Sequence, residues 1–136
     1  MNPVSVDIKD MLVAESLESD STLNLVFGQN LFIGNEPAQP HKCVTIFDTT
    51  ARAPQLTTKK GENYYYEAVQ IRVRARDYME AWELIRNIQT SLHGRAHETW
   101  NGALYTVIFC SSGPAMLDWD KNNRIRLIIN FETQRR

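Results

Sequence analysis

Residues 67–78 read EAVQIRVRARDY and alternate almost without error. Val69, Ile71, Val73 and Ala75 point one way, and Gln70, Arg72, Arg74 and Arg76 point the other. A period of two is the mark of a strand with one face in the core and one face outward. The strand is followed at once by Asp77 and Glu80, a capping-box-like pair that opens a helix. Tyr78, Ala81, Trp82, Ile85, Ile88 and Leu92 give that helix an apolar stripe, and Gly94 ends it. The apolar half of the strand should therefore pack on this helix, through Trp82 and Ile85. The arginine half should be a displayed face that the fold itself does not require.

Working outward, Asn2 and Pro3 open a first helix whose stripe is Val4, Ile8, Met11 and Leu12, with Asp7 near its positive end. Leu31–Ile33 between Asn and Gly reads as a short strand, and CVTIFDTT (43–50) as a second. In that second strand Val44, Ile46 and Asp48 share a face. Residues 48–63 form the longest polar, aperiodic stretch, and long loops tend to be functional or mobile. After the second helix, an Asn-Gly turn leads into a strand over Leu104–Cys110. MLDWDKNN (116–123) then turns the chain into RIRLIINFE (124–132). The predicted order is α-β-β-β-α-β-β: a single α+β domain with a mainly antiparallel sheet of about five strands and two helices packed on one face.

The chain has 136 residues, 43% hydrophobic and 23% charged, with a formal net charge of −1. Such a balance does not favour a polyanion binder. Charge is unevenly distributed. Residues 1–36 hold six acids and one base, whereas the remainder holds 14 bases and 10 acids. An acidic end and a basic end can attract copies head to tail, and such contacts close into rings when the rotation fits. No secretory pattern and no apolar run of about 20 residues is present, so a protein made in the cytoplasm and not in a membrane is expected.

Chemistry is not suggested. Cys43 and Cys110 lie in apolar, strand-like runs and read as free thiols. His93 and His97 are four apart, but Gly94 lies between them, and no metal-ligand spacing is met. Asp118, Asp120 and Asn122 resemble the start of a calcium loop, yet Asn123 and Ile129 stand where Gly and Glu are required, so a polar turn is the better reading. No nucleophile and base, phosphate loop or dinucleotide motif occurs, which argues against an enzyme and against a cofactor. Trp82 reads as core, and Trp100 and Trp119 as core ends more than as anchors for a neighbour. Tyr64, Tyr65 and Tyr66 cannot all be buried on one strand.

The segments NPVSVDIKDMLVAES (2–16), LFIGNEP (31–37), CVTIFDTT (43–50), YYYEAVQIRVRARDYMEAWELIRNIQTSLHG (64–94) and TWNGALYTVIFC (99–110) carry a resemblance over nearly the whole chain. In order and spacing the sequence resembles the minor capsid or tail-terminator-type proteins of long-tailed bacteriophages and their prophages. The resemblance implies a small α+β virion protein without catalytic residues. It implies a hexameric ring at the head-proximal end of the tail tube, which stops tube growth and docks to the head connector. The implied partners are copies of itself, the tail-tube protein and head-connector proteins, with DNA passing nearby in the lumen. A neck or minor-capsid position is the alternative within that resemblance. Interface residues are then expected at Arg72, Arg74, Arg76, Tyr65, Arg126, Lys59 and Lys60. A nucleic-acid platform built from Arg72, Arg74, Arg76 and Tyr65 is the competing reading, disfavoured by the net charge and by Glu62, Glu67 and Glu132.

Overall fold

The computed structural model describes residues 1–50, 52–56 and 63–136. The elements run α1 (Val4–Ser16), β1 (Leu31–Ile33), β2 (Cys43–Thr49), β3 (Gln55–Leu56), β4 (Asn63–Ala75), α2 (Tyr78–Leu92), β5 (Glu98–Trp100), β6 (Ala103–Trp119) and β7 (Ile125–Arg135). The α+β class holds, but the sheet is larger than five strands and is mixed. Its spatial order is β1-β2-β4-β7-β6-β5, with β3 paired off this path to the start of β4. β1 and β2 are parallel, and the other pairs antiparallel.

β4 is the central member. It pairs with β2 from Cys43↔Arg74 to Thr49↔Ala68, and with β7 from Tyr65↔Arg135 to Ala75↔Ile125, without a break in register. Strict pairing preserves the alternation seen in the sequence. Val69, Ile71, Val73 and Ala75 are fully buried beside Ile125, Leu127, Ile129 and Phe131. From the helices, Val4, Ile8, Met11, Leu12, Ala81, Ile85, Ile88 and Leu92 are buried on the same core. Each fully buried Leu, Ile or Phe contributes roughly 1.5–3 kcal/mol, so this layer holds the helices to the sheet.

Several local expectations are corrected. α1 receives no cap from Asn2; Asp48 of β2 accepts from the Ser5 N–H at 3.0 Å and from the Ser5 hydroxyl at 2.6 Å. Asp77 occupies the position before α2, but its side chain makes no capping bond. Tyr78 is exposed and stacks on the half-buried Trp82, with ring centroids 6.5 Å apart. Asp7 is fully buried, and it accepts from Arg135 at 3.2 Å, from Asn101 at 2.6 Å and from the Tyr105 hydroxyl. Burial, then the bond to Asp7, holds the Tyr105 phenol protonated far above its usual range.

β6 differs most from expectation. It does not end at Cys110 but continues to Trp119, through register shifts around Ser112 and Met116. Gly113 makes that continuation possible. Its φ is +92°, and a Cβ there would lie 2.9 Å from the Ile128 carbonyl oxygen. The turn itself is Asp120–Arg124. Asp120 accepts from the N–H groups of Asn122 and Arg124 and from the Arg124 guanidinium, which makes it the polar turn foreseen.

Candidate assembly interface

The face of the sheet opposite the helices carries Arg72 and Arg74 from β4 and Arg126 from β7. The segment between β1 and β2 folds over it and brings Glu36 to all three. Glu36 lies 3.3 Å from Arg74, 3.2 Å from Arg126 and 4.0 Å from Arg72. Arg74 also donates to the Pro40 carbonyl at 2.7 Å and to the His41 carbonyl at 3.4 Å. It is only 2% exposed. The expectation of a displayed row that the fold does not need is therefore wrong for Arg74. Its guanidinium holds the β1–β2 connection in place, and a buried cation needs these partners.

Its neighbours are graded. Arg126 forms a two-bond pair with Asp118, both contacts at 2.6 Å. The Arg126 hydrogen bond, acting against some burial, keeps the Asp118 carboxyl below its ordinary value. Arg72 lies over the Phe47 ring at 4.9 Å, and its Nε has no hydrogen-bond partner. Arg76, just past β4, is exposed and sets Nη2 2.6 Å from His41 Nε2. Partial burial, then the charges of Arg76, Arg124 and Arg74, lower the His41 pKa. Arg124 is buried and donates to the Ala38 carbonyl at 2.6 Å.

Of the seven expected interface residues, Arg72, Arg74, Arg76 and Arg126 are brought together at one end of this face. Tyr65 is not among them. The unbroken register of β4 puts it on the helix side, opposite Arg135, while Tyr66 shares the arginine side and stacks under Arg52 at 4.2 Å. The strand-borne platform of arginines and Tyr65 is thus corrected on geometry. Lys59 and Lys60 lie outside the described residues.

The surface that sequence reasoning missed is the outer side of β6. β5 pairs only with Ala103–Tyr105, Arg95 bridges Ile108, and His93 Nδ1 accepts the Cys110 N–H at 2.9 Å. Beyond that point no described strand borders β6 except β7. There Met116 is 55%, Leu117 40% and Trp119 47% exposed. Trp119 was expected at a core end and instead faces solvent; Trp100 is half-buried and donates to Glu98 at 2.9 Å. The signal available in the sequence was MLDW (116–119), which falls within the stretch expected to turn the chain. Among the described residues no three His, Cys, Asp or Glu side chains converge as metal ligands. Among the same residues no helix is long and apolar enough to cross a membrane.

This architecture is shared with chains of known structure. One belongs to the structure titled "Virion of native gene transfer agent (GTA) particle". It aligns with a TM-score of 0.67 at 13% identity, covering 98% of this chain and 94% of that one. A second solved chain aligns with a TM-score of 0.53, also at 13% identity, covering 94% of this chain and 95% of that one. At such identity the likeness is one of fold. No curated protein matches the sequence. The class that the two solved chains define is that of a small α+β fold. Residues 7–136 match the family described as bacteriophage tail terminator protein, and the chain belongs to that family. It is a virion component of the phage tail.

Proposed function

We propose that the protein terminates the tail tube: copies of it form a ring, hexameric as the sequence resemblance implies, on the head-proximal end of the tube. The ring stops tube growth and presents its other face to the head-side connector. The observation that carries this reading is the family match over residues 7–136. The fold is consistent with it, since a small chain with a broad sheet is suited to contact with other proteins. In this reading Arg72 and Arg76 are the members of the arginine group left to meet a partner ring, because Arg74 is engaged within the chain. DNA passing through such a ring needs no tight site.

The test uses the purified protein, alone and mixed with tail-tube protein, followed by light scattering and negative-stain microscopy. Rings alone or on tube ends, with tubes held to a uniform length, are expected. A strict monomer that neither forms rings nor binds tube ends overturns the proposal. Rings that ignore tube ends move the protein to the neck.

A further inference from the structure

We propose that the subunits of this ring meet edge to edge, with the distal part of β6 in one copy seated against the loop that precedes β1 in the next. The inference rests on the ring reading above and adds the two surfaces that touch.

The first surface is Ala115–Trp119. Among the described residues no strand borders its outer side, and it exposes Met116, Leu117 and Trp119 within four residues. Soluble proteins blunt free edges with charge, proline or bulges. Here Pro114 and the register shift between Ser112 and Ala115 obstruct backbone pairing just before the stretch. The stretch itself carries no lysine or arginine, and its one acid, Asp118, is tied to Arg126. Three large apolar side chains within four residues, left exposed by the described residues, mark a contact surface.

The second surface lies at the other end of the same sheet. β1 is paired with β2 alone, save for an isolated bridge from Phe27 to Leu31. The loop before it holds Val26 at 48% and Phe27 at 51% exposure. Beside them runs a groove of about 480 Å³ between this loop and α2, with Leu23, Leu25 and Leu84 in its walls and Glu80 and Glu83 on its rim. That size falls in the range of sites that enclose bulky groups. Charge matches as well. Just past Trp119, Lys121 is exposed and has no ion pair among the described residues; on the groove rim Lys42 pairs with Glu80 at 3.1 Å, which leaves Glu83 as the acid there without an ion pair among the described residues. Two different surfaces at opposite ends of one sheet give a heterologous contact, the kind that builds rings. A β6-to-β6 contact would be isologous and would stop at a dimer.

The experiment uses two full-length variants, Leu117→Lys and Phe27→Lys, each at an exposed site. Circular dichroism and thermal unfolding check the fold; light scattering and negative stain read the assembly. Each variant alone is expected to stay folded and to lose assembly at least tenfold. Mixed in equal amounts, the two should form heterodimers and nothing larger. The Leu117→Lys chain keeps its groove end, the Phe27→Lys chain keeps its β6 edge, and only one contact per pair can form. Trp119→Ser, which adds no charge, should also weaken assembly. Rings from either variant, or a mixture that stays monomeric, overturn the edge assignment. So do dimers of Phe27→Lys alone, which mark β6-to-β6 pairing. Wild-type protein that never forms rings overturns the ring reading instead, so the two failures are distinguishable.

Discussion

The arginine face and the outer side of β6 lie on neighbouring strands of one sheet and differ in what answers them. On the arginine face three guanidiniums converge on Glu36, and Asp118 takes one of them a second time. On β6, Met116, Leu117 and Trp119 stand exposed. The same contrast holds across the chain. The acidic N-terminal quarter looked complementary to a neighbour's basic surface, but its charges are largely met at home: Glu36 by the arginines, Asp7 by Arg135 at 3.2 Å and Glu15 by Arg95 at 3.6 Å. Charge asymmetry along a sequence can be the signature of a fold closing on itself. Apolar residues left outside after closure are the better sign of a partner.

The largest effect should come from breaking the buried member of the face. Arg74→Ala strands Glu36 beside weaker partners and leaves the Pro40 and His41 carbonyls without their donor. An unfolding free energy lower by about 3–5 kcal/mol is expected in urea titration. Arg72→Ser, at the looser end of the same row, should cost no more than about 1 kcal/mol. Equal costs would mean that the face is uniformly displayed, contrary to the contacts seen. Glu36→Gln falls between the two, at about 2 kcal/mol, because the amide can still accept from one arginine but no longer neutralises three.

Acid should loosen the same face in two stages. His41 has a lowered folded value, so its neutral form is favoured by folding. Its contribution is complete above its unfolded value of 6.5 and is lost as pH falls through and below it. Asp118 and Asp120 are also lowered, from 3.8. For Asp120, burial pushes upward, but the Arg124 backbone and guanidinium outweigh it. Their contribution is present above 3.8 and disappears as pH drops toward the folded values. The melting temperature should be flat above about pH 7, fall shallowly below it, and fall more steeply under about pH 4. A melting temperature that rises on acidification would contradict the assigned contacts.

What could be read from sequence was what depends on near neighbours. The alternation of β4 and the stripes of α1 and α2 are set by periods of 2 and 3.6, and their apolar members are buried as expected. What escaped depends on residues far apart. Glu36 and Arg74 are 38 positions apart, Ser5 and Asp48 are 43, and Asp7 and Arg135 are 128. β3 and β5 have two and three residues, too few for any period to show, and they exist because β4 and β6 offer partners. The parallel pairing of β1 with β2 is set by the connection that Arg74 and Arg124 hold down, not by either strand's own residues. β6 was cut short because MLDWDKNN (116–123) reads whole as a turn, whereas Gly113 lets the strand pass close to Ile128 and run on to Trp119.

The smallest expected change separates the two surfaces most directly. Raising salt from about 0.1 M to about 1 M shortens the Debye length from about 10 Å to about 3 Å, which weakens exposed charge contacts. If subunits meet chiefly through Met116, Leu117 and Trp119, the assembled fraction measured by light scattering should change less than about twofold over that range, because apolar burial does not depend on screening. Lys121 past Trp119, facing the neighbour's groove rim, sets the small loss that remains. If Arg72 and Arg76 carry the contact instead, the fraction should collapse as salt rises, since each would be an exposed cation facing an exposed acid. A steep salt dependence would thus return the interface to the arginine face, and a flat one would keep it on β6.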